Sequence, residues 1–166
     1  MTIQILLLLL ISLVGGIYDL KYRRIPNWLT LGTFLILLLF NISLLKSDLV
    51  LNCLLGFFVG ILILIVPYLM GGMGAGDVKL LGTLGSIVGF KDIFLIFIYS
   101  SICGLFLGLI WIVCRPGHLK FLITTGQILP TVDKKEKVPY GIAILLGTIL
   151  YIIFRSNIVK IFGFNF

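Results

Sequence analysis

Charge is what this chain has least of. Of its 166 residues only 11% are charged, against about 25% in an average soluble domain, while 60% are hydrophobic and the mean hydropathy is +1.25. A water-soluble globule is excluded. Acids are the scarcer sign, six against 13 Lys and Arg, and histidine occurs once, as His118 after Pro116-Gly117. A Ser-His or Cys-His hydrolase therefore has little to work with, and His118 reads as a solvated surface residue. The three cysteines, Cys53, Cys103 and Cys114, form no C-x-x-C pair, and two lie deep in apolar segments. Neither a zinc site nor a disulfide framework is supported, and no metal or other cofactor is expected. Period-2 alternation is missing too, which removes a membrane β-barrel. The N-terminal apolar run lacks both a basic flank before it and an A-x-A cleavage signal after it, so it reads as a retained span and not as a removable signal peptide.

Long apolar runs fill the rest, at residues 3–18, 28–45, 49–70, 78–90, 93–113 and 138–154. Hydrocarbon admits only helices and closed barrels, so all six read as helices. Six spans of about 20 residues use about 120 positions. The expectation is an all-α integral membrane protein, a bundle of about six transmembrane helices, forming one membrane-embedded domain over 1–166 with no separate soluble domain.

The net charge of +7 sits in short clusters between the runs. This is loop charge on a membrane protein, and nucleic acid is not expected as a partner; the lipid bilayer is. With alternating spans and the N-terminus outside, Lys21, Arg23, Arg24, Lys79, Arg115, Lys120, Lys134, Lys135 and Lys137 are cytoplasmic, while Lys46, Lys91, Arg155 and Lys160 are external. That bias predicts N-out, C-out. The run from Val78 to Phe90 is short for a crossing, and a re-entrant segment is the alternative; it would reverse the following span and place the later basic clusters outside, so the bias favours a crossing. Residues 119–130, ending at Pro130, are expected at the interface. Gly56-x-x-x-Gly60, Gly85-x-x-x-Gly89 and Gly104-x-x-x-Gly108 read as packing seams within the bundle.

Six acids can be weighed one by one. Asp48 and Asp92 fall in short outer loops beside Lys46 and Lys91, and Asp133 and Glu136 in a lysine-rich stretch, so these four read as solvated loop charges. Asp19 and Asp77 differ. Asp19 ends the first span and Asp77 follows the third, so both reach the same cytoplasmic edge. Around Asp77 runs Gly71-Gly72-Met73-Gly74-Ala75-Gly76-Asp77-Val78-Lys79. Walker A fails because Gly76 is followed by Asp and Val, and the dinucleotide fingerprint fails because Asp77 stands where its third glycine belongs. What remains is a glycine-flanked carboxylate at a helix start, where missing Cβ atoms permit unusual backbone and the approach of an extended chain. Around Asp19, Pro26 and Asn27 read as the turn opening the second span, with Asn27 as its N-cap and Trp28 as an interface anchor.

Asp19 followed by Ile25-Pro26-Asn27, and Gly74-Ala75-Gly76-Asp77-Val78-Lys79 after a later odd-numbered span, resemble the two signature motifs of the type IV prepilin peptidases, the Gly-x-Gly-Asp membrane aspartic proteases. Val138-Pro139-Tyr140-Gly141, opening the last span, resembles that family's proline-glycine motif. The resemblance implies a multi-pass enzyme of the inner (cytoplasmic) membrane that cleaves the short basic leader from pilin-like precursors at the cytoplasmic face. It assigns catalysis to Asp19 and Asp77, with Gly74, Gly76, Lys79, Ile25, Pro26, Asn27, Pro139 and Gly141 as supporting residues. Two close carboxylates share a proton, and the ionised one activates water. Partners implied are the precursor and the pilus assembly machinery. Long members carry paired C-x-x-C motifs associated with N-methylation; this chain is similar to the short forms serving Tad/Flp-type pili, and methyltransferase activity is not expected. Lys79 either stabilises an ionised carboxylate, guides substrate, or snorkels at the interface. The competing class is a small proton- or cation-coupled transporter or channel subunit using the same two acids.

Overall fold

The computed structural model describes residues 2–45, 47–113 and 140–162. Among the described residues the chain forms six helices, the first five joined by short turns: α1 (Thr2–Tyr22), α2 (Asn27–Ser43), α3 (Ser47–Leu69), α4 (Ala75–Val88), α5 (Asp92–Val113) and α6 (Tyr140–Phe162). Each apolar run has become one helix. Stretches of α1, α3 and α5 are long and apolar enough to cross a membrane by length and composition, while α2 and Tyr140–Arg155 of α6 are shorter apolar helices. The interfacial segment expected at 119–130, together with Cys114, His118, Asp133, Glu136 and Pro139, lies outside the described residues.

The turns follow from local chemistry. α1 closes where the Arg23 N–H donates to the Asp19 carbonyl at 2.9 Å, with Arg23 in the left-handed region at φ +51°. Pro26, extended at φ −69°, ψ 139°, is the N-cap of α2, and its carbonyl receives the Leu29 and Thr30 N–H groups at 3.2 and 3.4 Å. Asn27 is thus the first helical residue and not the cap expected from sequence, because proline's fixed φ already suits the extended cap geometry. At the end of α3 the Gly72 N–H reaches back to the Pro67 carbonyl at 3.0 Å and the Gly71 N–H to Tyr68 at 2.9 Å, with Gly71 at φ +78°. This is a Schellman cap, and Gly71 is the one residue of the glycine run whose backbone needs glycine.

α4 occupies the centre. It has 14 residues, about 21 Å of helix, and every residue from Asp77 to Ile87 except Lys79 is buried. It packs most intimately on α3, antiparallel to it, through small residues. A Cβ on Gly56 would collide with the Gly85 carbonyl, and one on Gly60 would lie 2.7 Å from the Leu81 carbonyl oxygen. Gly82 faces the Phe57 carbonyl in return. The seam on α4 therefore takes in Gly82, Gly85 and Gly89, the last through its carbonyl carbon, 3.1 Å from a Cβ on Gly56. Gly89 caps α4 at φ +88° with open space around its Cβ position. Gly104 receives the Tyr140 ring, but Gly108 has no neighbour within 4 Å among the described residues. In the Gly104 and Gly108 pair the i, i+4 spacing marked one position with a neighbour among the described residues.

α5 and α6 run antiparallel. At one end of this pair Asp92 Oδ2 accepts from Arg155 at 2.6 Å and from the Tyr151 hydroxyl at 2.8 Å. Asp92, expected as a solvated loop charge, is instead the tie between the start of α5 and the later part of α6. In the middle Gly147 lies on Ser100, and at the other end Tyr140 lies on Gly104.

Polarity is distributed from the inside out. Leu6, Ile36, Phe58, Leu62, Leu105 and Phe106 stand exposed on the exterior, whereas Ser12, Thr30, Thr83, Ser86, Ser100 and Thr148 are buried. An apolar surface of this extent suits a bilayer and not water.

Candidate active site

Asp19 lies in the last turn of α1. Gly15 and Gly16, one turn earlier on the same face, have no side chain to hold neighbours off. A Cβ on Gly15 would come 2.9 Å from Leu80 of α4, and one on Gly16 would come 3.2 Å from Leu145 of α6. α1 is thereby pinched between the two helices, and the next residue on that face, Asp19, is left 7% exposed. Its Oδ2 accepts the Gly141 N–H at 2.7 Å. Gly141 is the second residue of α6. Its N–H is one of the donors a helix start leaves without an internal acceptor, and it sits at the positive end of the helix dipole. A Cβ there would fall 2.7 Å from the Asp19 Cβ and 2.8 Å from Oδ2, so the contact requires glycine.

Asp77 is the third residue of α4, and its side chain folds back over the helix start. Oδ2 accepts the Gly74 N–H at 3.1 Å. This is the acidic half of a capping box; the reciprocal half is absent because a glycine cap has no side chain to offer. Gly74 is extended at φ −84°, ψ 148°, a conformation open to any residue. The unusual backbone expected around Asp77 is confined to Gly71, whereas Gly76 serves as a gap: its missing Cβ would stand 3.0 Å from the Ile25 Cβ. Asp77 itself is 6% exposed.

The two carboxylates come level by register. Gly15 meets Leu80 across the α1–α4 contact. Asp19 lies one turn beyond Gly15, Asp77 one turn before Leu80, and the helices are antiparallel, so the acids stand at the same end of adjacent helices. The supporting residues gather there as well. Ile25 is buried against Gly76, Pro26 starts α2, and Lys79 Nζ donates to Asn27 Oδ1 at 2.9 Å. Gly141 holds Asp19; Pro139 lies outside the described residues.

Sequence reasoning missed Tyr140. Its ring lies on Gly104 of α5, and the next residue holds Asp19. An aromatic at a helix start ordinarily reads as an interface anchor, so no local signal marked it. Among the described residues no group of three or more His, Cys, Asp or Glu side chains assembles as a metal site.

A lipid-suited helical bundle that buries two carboxylates at one end of neighbouring helices has the parts for proton transfer, and it places no Ser-His or Cys-His pair beside them among the described residues. The chain belongs to the Type IV leader peptidase family, which it matches over residues 6–109, more than half of its 166 residues. Membership makes it a leader peptidase of the prepilin type. The matched span takes in Asp19, the Ile25–Asn27 turn and Gly74 to Lys79. Comparison with curated proteins and with solved structures returns no match.

Proposed function

We propose that the chain is an aspartic endopeptidase of the inner membrane that removes the short basic leader from pilin-like precursors at the cytoplasmic face, with Asp19 and Asp77 as its catalytic residues. The supporting observation is the placement of two buried carboxylates level on α1 and α4, each held through one oxygen by a glycine N–H. The bundle sits in the bilayer as one domain with six spans, N-out and C-out, so that the acid end faces the cytoplasm, where the basic leader and the pilus assembly machinery meet it.

Two neighbouring carboxylates cannot both ionise readily, so they carry one proton between them. The ionised carboxylate takes a proton from a water molecule as that oxygen bonds to the scissile carbonyl carbon. The protonated carboxyl gives its proton to the carbonyl oxygen, forming a neutral gem-diol. When the C–N bond breaks, the amine leaves with a proton from the first carboxyl, and a diol proton returns to the second. Water is consumed and the pair is restored. Methyl transfer stands outside the proposal. The ion-coupled transporter reading gains nothing from the structure, because both acids lie in end turns of their helices and not midway along a span.

Asp19→Asn and Asp77→Asn keep side-chain shape and remove one ionisable partner each. Either alone is expected to abolish cleavage of a precursor with a basic leader, followed as a size shift with purified protein. The double variant is expected to be no worse, since residues acting as a unit are non-additive. Asp48→Asn, at the exposed start of α3, is the control and cleaves normally. Substantial cleavage by either single variant would sink the mechanism.

A further inference from the structure

Three contacts bind the start of α2 to the start of α4, and they climb both helices together. Ile25 fills the gap over Gly76, Asn27 Oδ1 accepts from Lys79 Nζ at 2.9 Å, and the Thr83 hydroxyl lies 3.1 Å from the Thr30 carbonyl. That hydroxyl is also 2.8 Å from the Lys79 carbonyl, and its single proton serves one acceptor at a time. The pairs advance in the same direction along both helices, so α2 and α4 are parallel neighbours. The lower two flank Asp77: Gly76 precedes it and Lys79 follows within the same turn.

The gripping residues belong to the piece of chain that begins with Asp19. From Asp19 the backbone is fixed at each step. The Arg23 N–H is bonded to the Asp19 carbonyl, Arg23 is left-handed, Ile25 is buried, and the Pro26 ring sets φ at −69°. Such a turn has few other conformations to visit. One end of it carries the first carboxylate on α1, and the other end clasps both sides of the helical turn that carries the second.

We infer that the Asp19–Asn27 segment is a spacer that sets the separation of the two carboxylates, with Ile25, Asn27 and Lys79 as positioning residues; the inference rests on the two-carboxylate reading above. Lys79 then acts through Asn27. The ammonium gives Asn27 a charge-assisted bond, stronger than a neutral one, at the exposed edge of the site. Both residues point at each other from helix starts, so their removal leaves the buried core untouched.

Asn27→Leu keeps size and removes the acceptor; Lys79→Met keeps length and removes the donor. In purified full-length protein, with a synthetic precursor bearing a basic leader and an apolar segment, each is expected to lower kcat about tenfold with KM unchanged. The double variant is expected to match the worse single one, since each substitution breaks the same bond. Asn27→Asp, which restores an oxygen acceptor to Lys79, recovers most of the loss relative to Asn27→Leu. Should Asn27→Leu or Lys79→Met fail to accumulate, Asn27→Ser and Lys79→Gln, which shorten the reach without adding apolar surface, are expected to show the same kcat loss. A Lys79→Met defect with Asn27→Leu fully active would overturn the spacer, as would multiplicative losses in the double variant or a rise in KM at constant kcat. Cleavage by Asp19→Asn would instead refute the two-carboxylate reading, whatever the behaviour of Asn27 and Lys79.

Discussion

Asp19 is held by a backbone donor whose own residue has no room for a side chain. In Gly141→Ala the N–H remains but the new methyl competes for the space of the Asp19 Cβ and Oδ2. The aspartate must then rotate away or α6 must withdraw. Displacing a reacting group by about 1 Å costs on the order of a hundredfold in rate. Cleavage by Gly141→Ala is therefore expected to fall about a hundredfold, measured as kcat/KM on a leader-bearing precursor. The thermal midpoint in detergent is expected to fall by no more than several degrees, because overpacking costs about 1–3 kcal/mol and alanine, the better helix former, offsets part of it. Full activity in this variant would show that Asp19 is not fixed from α6. At this scale the sequence disclosed the acids and hid their partners. Asp19 and Asp77 stood out because acids are so few and the other four had loop surroundings. Asn27 was misread as a cap because Pro-Asn before an apolar run has a complete local explanation, while its real partner, Lys79, is 52 positions away. Asp92 was misread for the same reason, its partners Tyr151 and Arg155 lying 59 and 63 positions on. A side-chain bond of that range leaves no mark on local pattern.

Among elements, the α3–α4 contact is the one with least tolerance. Backbone meets backbone where Gly56 faces Gly85, so a methyl on either must push a carbonyl, which cannot rotate aside as a side chain can. Overpacking of this kind costs about 1–3 kcal/mol. Gly56→Ala is expected to lower the thermal midpoint in detergent by several degrees. Gly108→Ala, made on the same small-xxx-small logic, is expected to leave it unchanged, because among the described residues nothing lies within 4 Å of that position. Equal destabilisation by both would mean that Gly108 has a packing partner beyond the described residues. Among the described residues each apolar run corresponds to one helix, so helix positions were legible from hydropathy, although α6 runs on to Phe162, past the run that ends at 154. Which glycines work was not legible, because i, i+4 spacing names a face without naming what lies opposite. Gly82 lay outside the marked pairs and joined the seam; Gly89 lay inside one and both meets Gly56 and caps α4.

For the whole molecule, the contacts sort helix ends into two groups. Asp19 with Gly141, Ile25 with Gly76, and Asn27 with Lys79 place the ends of α1 and α3 and the starts of α2, α4 and α6 together. Asp92 with Arg155 marks the opposite end. Short α4 belongs to this alternation although about 21 Å of helix underspans a hydrocarbon core of roughly 30 Å, because its neighbours bury it and its polar termini never need to face lipid. If the acid end is cytoplasmic, as the clustering of Lys21, Arg23 and Arg24 beside it argues, reporters fused after Arg24 and after Gly72 report cytoplasm, and those after Leu45 and after Phe90 report the outside. The two fusions that bracket α4 carry the most weight. Gly72 and Phe90 on opposite sides would make α4 a crossing and give α5 the inward direction that returns the chain to the acid end. Gly72 and Phe90 on one side would make α4 re-entrant, contradict the six-span topology, and require α5 to begin where Asp77 is. The Asp92 tie to the later part of α6, far from Gly141 at its start, stands against that second outcome.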